Sequence, residues 1–268
     1  MKWGEINYQV INMRILLYLK ANRTVIQDKI TNSKYYSGMH GWIYGKLKNT
    51  DYADMYSKKG FKKFCFGNLY PIRNQKIEQD KEYKVWISSP DEMFMINLLS
   101  NINIYEKINL GEFSFDLEKI EPKPSKRIED FFLLKSETIT NVCLPVDGNL
   151  KPKAITLTKD NNKFKKQLSK NLIRKYNYFS KEDIEEDFDL WNNVKIKEIP
   201  KSEHAIKLNF TKESDNWFDV IGARYKFNLG NINEKQKKIF QLCFDLGFGE
   251  RNTFGFGFVN GKQIIKGR

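Results

Sequence analysis

Up to Ile120 the apolar residues switch between strand-like and helix-like spacing, and the order of those switches restricts the fold more than any single motif. Ile11–Lys20, rich in Ile and Leu, reads as a strand. Lys34–Asn49 has helical spacing, with Ser33 as the candidate N-cap. Phe61–Leu69 and Glu82–Ser88 are aromatic and β-branched runs that predict two strands. Pro90-Asp91 opens an apolar helix, Asp91–Asn101, and Glu112–Ile120 alternates as a strand does. The sum is βαββαβ, the ferredoxin-like unit.

Glu121–Lys126 carries two prolines among charges and reads as a linker. Beyond it the pattern is looser but similar. Phe131–Leu144 supplies strand material, Lys163–Phe179 a basic helix, and Lys181–Asp189 an acidic, solvated insertion. His204–Phe210 and Asp219–Leu229 read as strands, Asn233–Leu246 as a helix and Gly255–Val259 as a last strand. The halves share no sequence repeat, so the duplication rests on element order. The expectation is an α+β chain of two tandem ferredoxin-like domains with antiparallel sheets, residues 1–121 and 127–268.

The 46 basic against 33 acidic residues leave a formal charge of +13, which points to a polyanionic partner, nucleic acid before any membrane surface. A hydrophobic content of 40% is enough to build a core and excludes wholesale disorder. Cys65, Cys143 and Cys243 are scattered within apolar stretches without a CxxC pair, and His40 and His204 complete the set of soft ligands. Neither a disulfide framework nor a transition-metal site is expected, no cofactor is implied, and a reducing cytoplasmic compartment fits. No apolar run of spanning length occurs, and the first twenty residues do not read as a signal peptide, so no membrane role is expected.

Residues 247–257, GFGERNTFGFG, spell G-x-G-x5-G-x-G. A dinucleotide fingerprint fails, because here the helix precedes the loop and the spacing is wrong. GFGFV resembles the core of an RRM RNP1 strand, but too little chain follows Val259 to complete a single RRM. The remaining reading is a phosphate grip: Gly247, Gly249, Gly255 and Gly257 would bring backbone N–H groups close to a strand, with Arg251 adding a forked cation and Asn252 a further donor.

This segment resembles the C-terminal signature of the CRISPR repeat-processing endoribonucleases, the Cas6 family, at all four glycines, at the apolar Phe248 and Phe256, and at the basic Arg251. Tyr35-Tyr36, Trp42-Ile43-Tyr44 and Lys62–Phe66 resemble the family's first helix and second strand. The resemblance implies two ferredoxin-like domains, precursor CRISPR RNA as substrate, and metal-independent cleavage within each repeat. It implies the alternative of a repeat-RNA-binding subunit of a CRISPR effector complex that does not cut, with other effector subunits as partners. Either form would be a monomer or homodimer.

Metal-free RNA cleavage requires a base for the ribose 2′-OH, an acid for the 5′-oxygen and a cation for the developing charge. At 100° per residue Tyr36, Met39, Ile43 and Leu47 form one apolar stripe, with His40 and Tyr44 together on its edge and Lys48 continuing the ridge. His40 is therefore the candidate base or acid. The resemblance assigns Tyr44 as its partner and Lys62 as phosphate stabiliser, with Lys63, Lys46 and Lys48 as further cations. The chain departs from many family members in having no histidine in Tyr52–Gly60, where theirs precedes the second strand. His204, with no family motif around it, reads as structural.

Overall fold

A computed structural model describes residues 13–26, 29–72, 76–145, 152–209 and 217–264. The first half builds one antiparallel sheet from β1 (Met13–Ala21), β2 (Cys65–Phe66), β3 (Glu82–Ser89), β4 (Lys107–Leu110) and β5 (Phe113–Pro124), in the order β2-β3-β1-β5-β4. Helix α1 (Lys29–Lys46) follows β1 and α2 (Glu92–Ser100) follows β3. Removing the edge strand β4 leaves the ferredoxin-like order, each α-helix linking two strands separated by a third.

The second half repeats this plan. β6 (Phe132–Ser136), α3 (Asn161–Ser180), β7 (Val194–Glu198), β10 (Tyr225–Leu229), α4 (Glu234–Leu246) and β11 (Val259–Gln263) give a sheet in the order β7-β10-β6-β11. A hairpin of β8 (His204–Asn209) and β9 (Trp217–Gly222) is inserted between its second and third strands. The hairpin leaves its own unit: Ile206, Leu208 and Val220 are buried in the core of the first half, against α1. The chain is thus two tandem ferredoxin-like units with antiparallel sheets.

Several boundaries differ from the expected ones, each for a reason outside the local pattern. Helix α1 begins at Lys29, which puts Ser33 inside it rather than at its cap, and ends at Lys46. The 61–69 run forms regular ladder only at Cys65–Phe66, although Gly67 and Tyr70 still bond β3 at Trp86 and Lys84. Two thirds of the expected linker is strand, since Glu121–Pro124 pairs with Met13–Leu16 of β1. The 219–229 run breaks into two strands because a Cβ on Gly222 would lie 2.5 Å from the Thr140 carbonyl oxygen, a contact only glycine permits. The last strand starts at Val259, after a turn in which Gly255 and Gly257 both have positive φ. Ile11, the expected start of the first strand, and Phe210, the expected end of the His204–Phe210 strand, lie outside the described residues.

The two units are joined by a buried ion pair. Arg14 on β1 donates from Nε to Asp245 of α4 at 3.0 Å, from Nη1 to the Val259 carbonyl at 2.9 Å and from Nη2 to the Phe244 carbonyl at 2.5 Å. Its guanidinium lies 3.6 Å from the Phe244 ring centroid. Ser125 Oγ donates to the same carboxylate at 2.5 Å, and Ser88 Oγ to the Asp245 carbonyl at 2.8 Å. Every guanidinium edge is used, which is the condition under which burying two charges is tolerable.

Candidate active site

Three glycines give α1 little helix propensity of its own, and its order comes from burial of Tyr35, Tyr36, Met39, Ile43 and Leu47. Gly38 allows the close seat, since a Cβ there would come within 2.7 Å of Leu110 Cα on β4. This packing fixes the helix edge on which His40 and Tyr44 lie one turn apart, ring centroids 4.7 Å from each other. Tyr56, largely exposed, closes a third side at 5.9 Å from His40 and 5.2 Å from Tyr44. Phe254 stacks on the imidazole at 3.9 Å with the planes 10° apart.

The tautomer of His40 follows from its one hydrogen bond. Nδ1 lies 2.8 Å from the Thr253 carbonyl oxygen, which only accepts, so Nδ1 carries the proton and Nε2 keeps its lone pair. Among the described residues Nε2 has no hydrogen-bond partner, and it is not sealed from solvent. Burial pulls the imidazole below its ordinary value of 6.5, the Thr253 carbonyl opposes this, and the charge of Lys62 pulls it down further. The ring is therefore a neutral acceptor at neutral pH. Burial and the neighbouring Tyr56 raise the Tyr44 hydroxyl well above 10, so it stays a phenol that donates. Lys62 Nζ is held by the Met55 carbonyl at 2.5 Å and by the Lys58 carbonyl, which leaves one ammonium proton uncommitted.

The glycine-rich turn reaches His40 from behind. All four of its glycines are buried with φ between +73° and +88°. A Cβ would lie 2.6 Å from Asn252 Nδ2 at Gly247, 2.3 Å from the Asn141 oxygen at Gly249, 2.5 Å from the Phe66 ring at Gly255 and 1.8 Å from the Phe248 oxygen at Gly257. Its N–H groups at Gly247, Phe248, Glu250 and Gly257 bond to Cys243, Gly257, Asn141 and Ile139. The turn is filled by an ammonium: Lys175 of α3, 3% exposed, donates to the Gly247 and Gly249 carbonyls at 2.8 and 2.5 Å and to Asn252 Oδ1 at 2.6 Å. Asn252 Nδ2 in turn donates to the Phe256 carbonyl at 2.8 Å.

On the outer face of the first sheet, lysines flank aromatic rings. Lys84 and Lys119 lie 4.5 and 4.9 Å from the Tyr18 centroid, and Lys123 lies 6.0 Å from that of Trp86. Trp86 and Lys123 also line a cavity of about 420 Å³ between the two sheets, together with Lys126, Lys135 and Lys262. A smaller cavity of about 190 Å³ beside Lys62 is lined by Lys58, Lys59 and Lys63 and by Tyr178 from α3. Cations set beside half-buried aromatic rings suit a strand of phosphates and unpaired bases.

Residues 134–261 match the family model of CRISPR associated protein Cas6, C-terminal. CRISPR-associated endoribonuclease Cas6 2 of Methanocaldococcus jannaschii is 25% identical over 249 residues, covering 92% of this chain and 99% of that protein. The same organism's CRISPR-associated endoribonuclease Cas6 1 is 29% identical over 259 residues, covering 92% of both. The family model and both relatives support a likeness to the Cas6 family that extends over most of the chain. Among solved structures, a Cas6 protein superposes with a TM-score of 0.68 at 21% identity, over 94% of this chain and all of that one. A Cas6-related protein from Pyrococcus furiosus gives 0.67 at 18% identity, over 94% of this chain and 98% of its own. At these identities the likeness establishes the fold, and it is the tandem ferredoxin-like fold described above.

The structure brings His40 and Tyr44 together with the charge of Lys62 acting on the imidazole, whereas Arg251 is half-buried with its guanidinium 4.7 Å from the Phe218 ring. Lys48 is exposed in the turn that follows α1, not on a continuing helical ridge. Three sequence expectations need correction. Gly247, Gly249, Gly255 and Gly257 do not form an open phosphate cradle, because protein atoms fill the space beside each of them. Asn252 faces inward, its amide engaged by Lys175, Phe248 and Phe256. Lys63 is committed to the Asp91 carboxylate at 2.5 Å, and Asp91 caps α2. His204 is exposed, its ring bonded to the Ser202 carbonyl. The cysteines are buried and free, and burial raises the Cys65 and Cys243 thiols to about 12, which leaves them inert. Thr253, Phe254, Tyr56 and Lys175 had not been singled out; of these only Lys175 left a signal, as a cation in register with the apolar stripe Phe164, Leu168, Leu172.

Proposed function

We propose that this protein is an endoribonuclease that cuts precursor CRISPR RNA within its repeats, without a metal ion, leaving a 5′-hydroxyl and a 2′,3′-cyclic phosphate. One observation carries the reading: the Thr253 carbonyl holds His40 as a neutral imidazole with Nε2 free to accept a proton. That atom would take the proton of the ribose 2′-OH as its oxygen attacks the adjacent phosphorus, while the bond to the 5′-oxygen breaks and that oxygen leaves as a hydroxyl with a proton from the Tyr44 phenol. The phenol of Tyr44 and the third proton of Lys62 supply donors for the charge that builds on the phosphate. The side chains around His40 are phenols, a phenyl ring and an ammonium, a set suited to anions and not to divalent cations. The basic, aromatic face around Tyr18 and Trp86 supplies the grip on the strand, and the names of the two archaeal relatives point to CRISPR RNA.

Repeat RNA incubated with the protein in EDTA should be shortened, and a single 2′-deoxy substitution at the scissile nucleotide should stop cutting while binding persists. Cutting of the deoxy substrate, or an absolute need for Mg²⁺, would falsify the mechanism. A second reading, a subunit that holds repeat RNA without cutting it, draws on the cover that Phe254 places over His40, which leaves that residue 9% exposed. Under that reading the RNA is retarded in a gel but keeps its full length over hours.

A further inference from the structure

Lys175 sits where a lysine is hard to accommodate. It is 3% exposed, and its three acceptors are two carbonyls and an amide, none of them charged. A buried ammonium with no carboxylate bonded to it is retained only where its hydrogen bonds replace what water supplied. Those bonds draw Gly247 and Gly249, at one end of the loop, toward Asn252 in its middle. Asn252 opens the short 3₁₀ turn Asn252–Phe254, and that turn delivers both groups that hold His40, the Thr253 carbonyl and the Phe254 ring. Arg251, just before it, adopts φ +58°, a conformation that a non-glycine residue keeps only when its neighbours impose it. A continuous chain of contacts therefore runs from α3 in the second unit to the imidazole in the first.

We propose that Lys175 is a positioning residue: through Gly247, Gly249 and Asn252 its ammonium sets the turn that fixes the tautomer and ring plane of His40. The inference rests on His40 being the base, and it assigns to α3 a part in the chemistry without contact with RNA. Burial brings the ammonium down to about 8, so it keeps its proton at neutral pH and all three bonds are made.

The test reads the imidazole directly. With two histidines in the chain, a nitrogen-15 spectrum of the imidazoles contains two sets of signals, and His204→Gln identifies those of His40. In the native protein His40 should appear as the single Nδ1–H tautomer. Lys175→Met, which keeps the length and removes the donors, should let both tautomers exchange. It should also lower kcat on repeat RNA by about 10²-fold, the scale of a misplaced catalytic group. The Kd for uncleavable 2′-deoxy repeat should stay within about twofold. Asn252→Ala, which cuts the link to the turn and leaves Lys175 in place, should have the same effect on the imidazole, and Lys175→Gln should recover part of the loss. If either variant folds and His40 keeps one tautomer, the proposal is overturned whatever happens to the rate. Should neither variant fold, the native protein decides: a lysine ammonium slow to exchange with water supports the clamp, and its absence overturns it. An imidazole that responds as described in a protein that never cuts RNA would uphold the positioning and sink the nuclease reading instead.

Discussion

His40 shows how one carbonyl can choose a chemical role. An imidazole whose Nδ1 donates to Thr253 presents a lone pair at Nε2, and burial keeps the ring unprotonated. This predicts an acid limb of the cleavage rate that lies below pH 6.5. The neutral base is fully present above its lowered folded value, and activity falls only as pH drops through it. His40→Ala should reduce single-turnover cleavage by about 10²–10⁴-fold while repeat binding persists in a gel-shift assay. A rate that instead falls as pH rises through the His40 titration would mean that the ring is protonated in the working state and acts as the acid.

At the scale of elements, the turn after α4 works as a wedge between the two units. Phe256 stacks on Tyr36 of α1 at 5.1 Å, Phe248 packs against Phe227 of β10 at 4.9 Å, and Gly255 lies against Phe66 of β2. The glycines serve this packing, because no side chain fits where they stand. Gly257→Ala combines a positive φ of 73° with a Cβ only 1.8 Å from a backbone oxygen. It should cost more than about 2 kcal/mol in urea unfolding. Since the same turn carries Thr253 and Phe254, the folded fraction of that variant should also cut RNA more slowly than the native protein. A variant of native stability would show that the turn is looser than its contacts indicate.

Across the whole molecule, the relative placement of the two sheets depends on Arg14 and Asp245. Arg14→Ala removes the charged partner of a buried carboxylate and leaves it with neutral ones, the Ser125 hydroxyl and the Gln241 amide among them. A loss of about 3–5 kcal/mol is expected from denaturant melts. The double variant Arg14→Met, Asp245→Leu should recover much of it, because two apolar side chains remove the desolvation cost along with the pair. The cavity lined by Trp86, Lys123, Lys135 and Lys262 lies at this junction and draws on both sheets. A twist between the units would therefore disturb this basic, aromatic face as well as the core. The hairpin β8–β9 adds to the same connection, placing Ile206, Leu208 and Val220 from the second unit in the first unit's core.

Local pattern by itself determined the alternation of strands and helices, the duplicated ferredoxin-like order, the charge that calls for a polyanion, and the pairing of His40 with Tyr44 on one helix edge. The charge is a sum over the whole chain, and the rest depend on neighbours a few residues apart, which spacing records faithfully. Only the tertiary structure decided which way the glycine-rich turn faces, that Asn252 and Lys63 serve the protein and not a ligand, and that Lys175 fills the turn from a distant helix. A glycine has no side chain whose polarity would betray its surroundings. A lysine looks the same in sequence whether water or three oxygens surround its ammonium. Those outcomes were set by contacts between residues remote in sequence, 28 positions from Lys63 to Asp91, 77 from Lys175 to Asn252 and 213 from His40 to Thr253, and no local period encodes them.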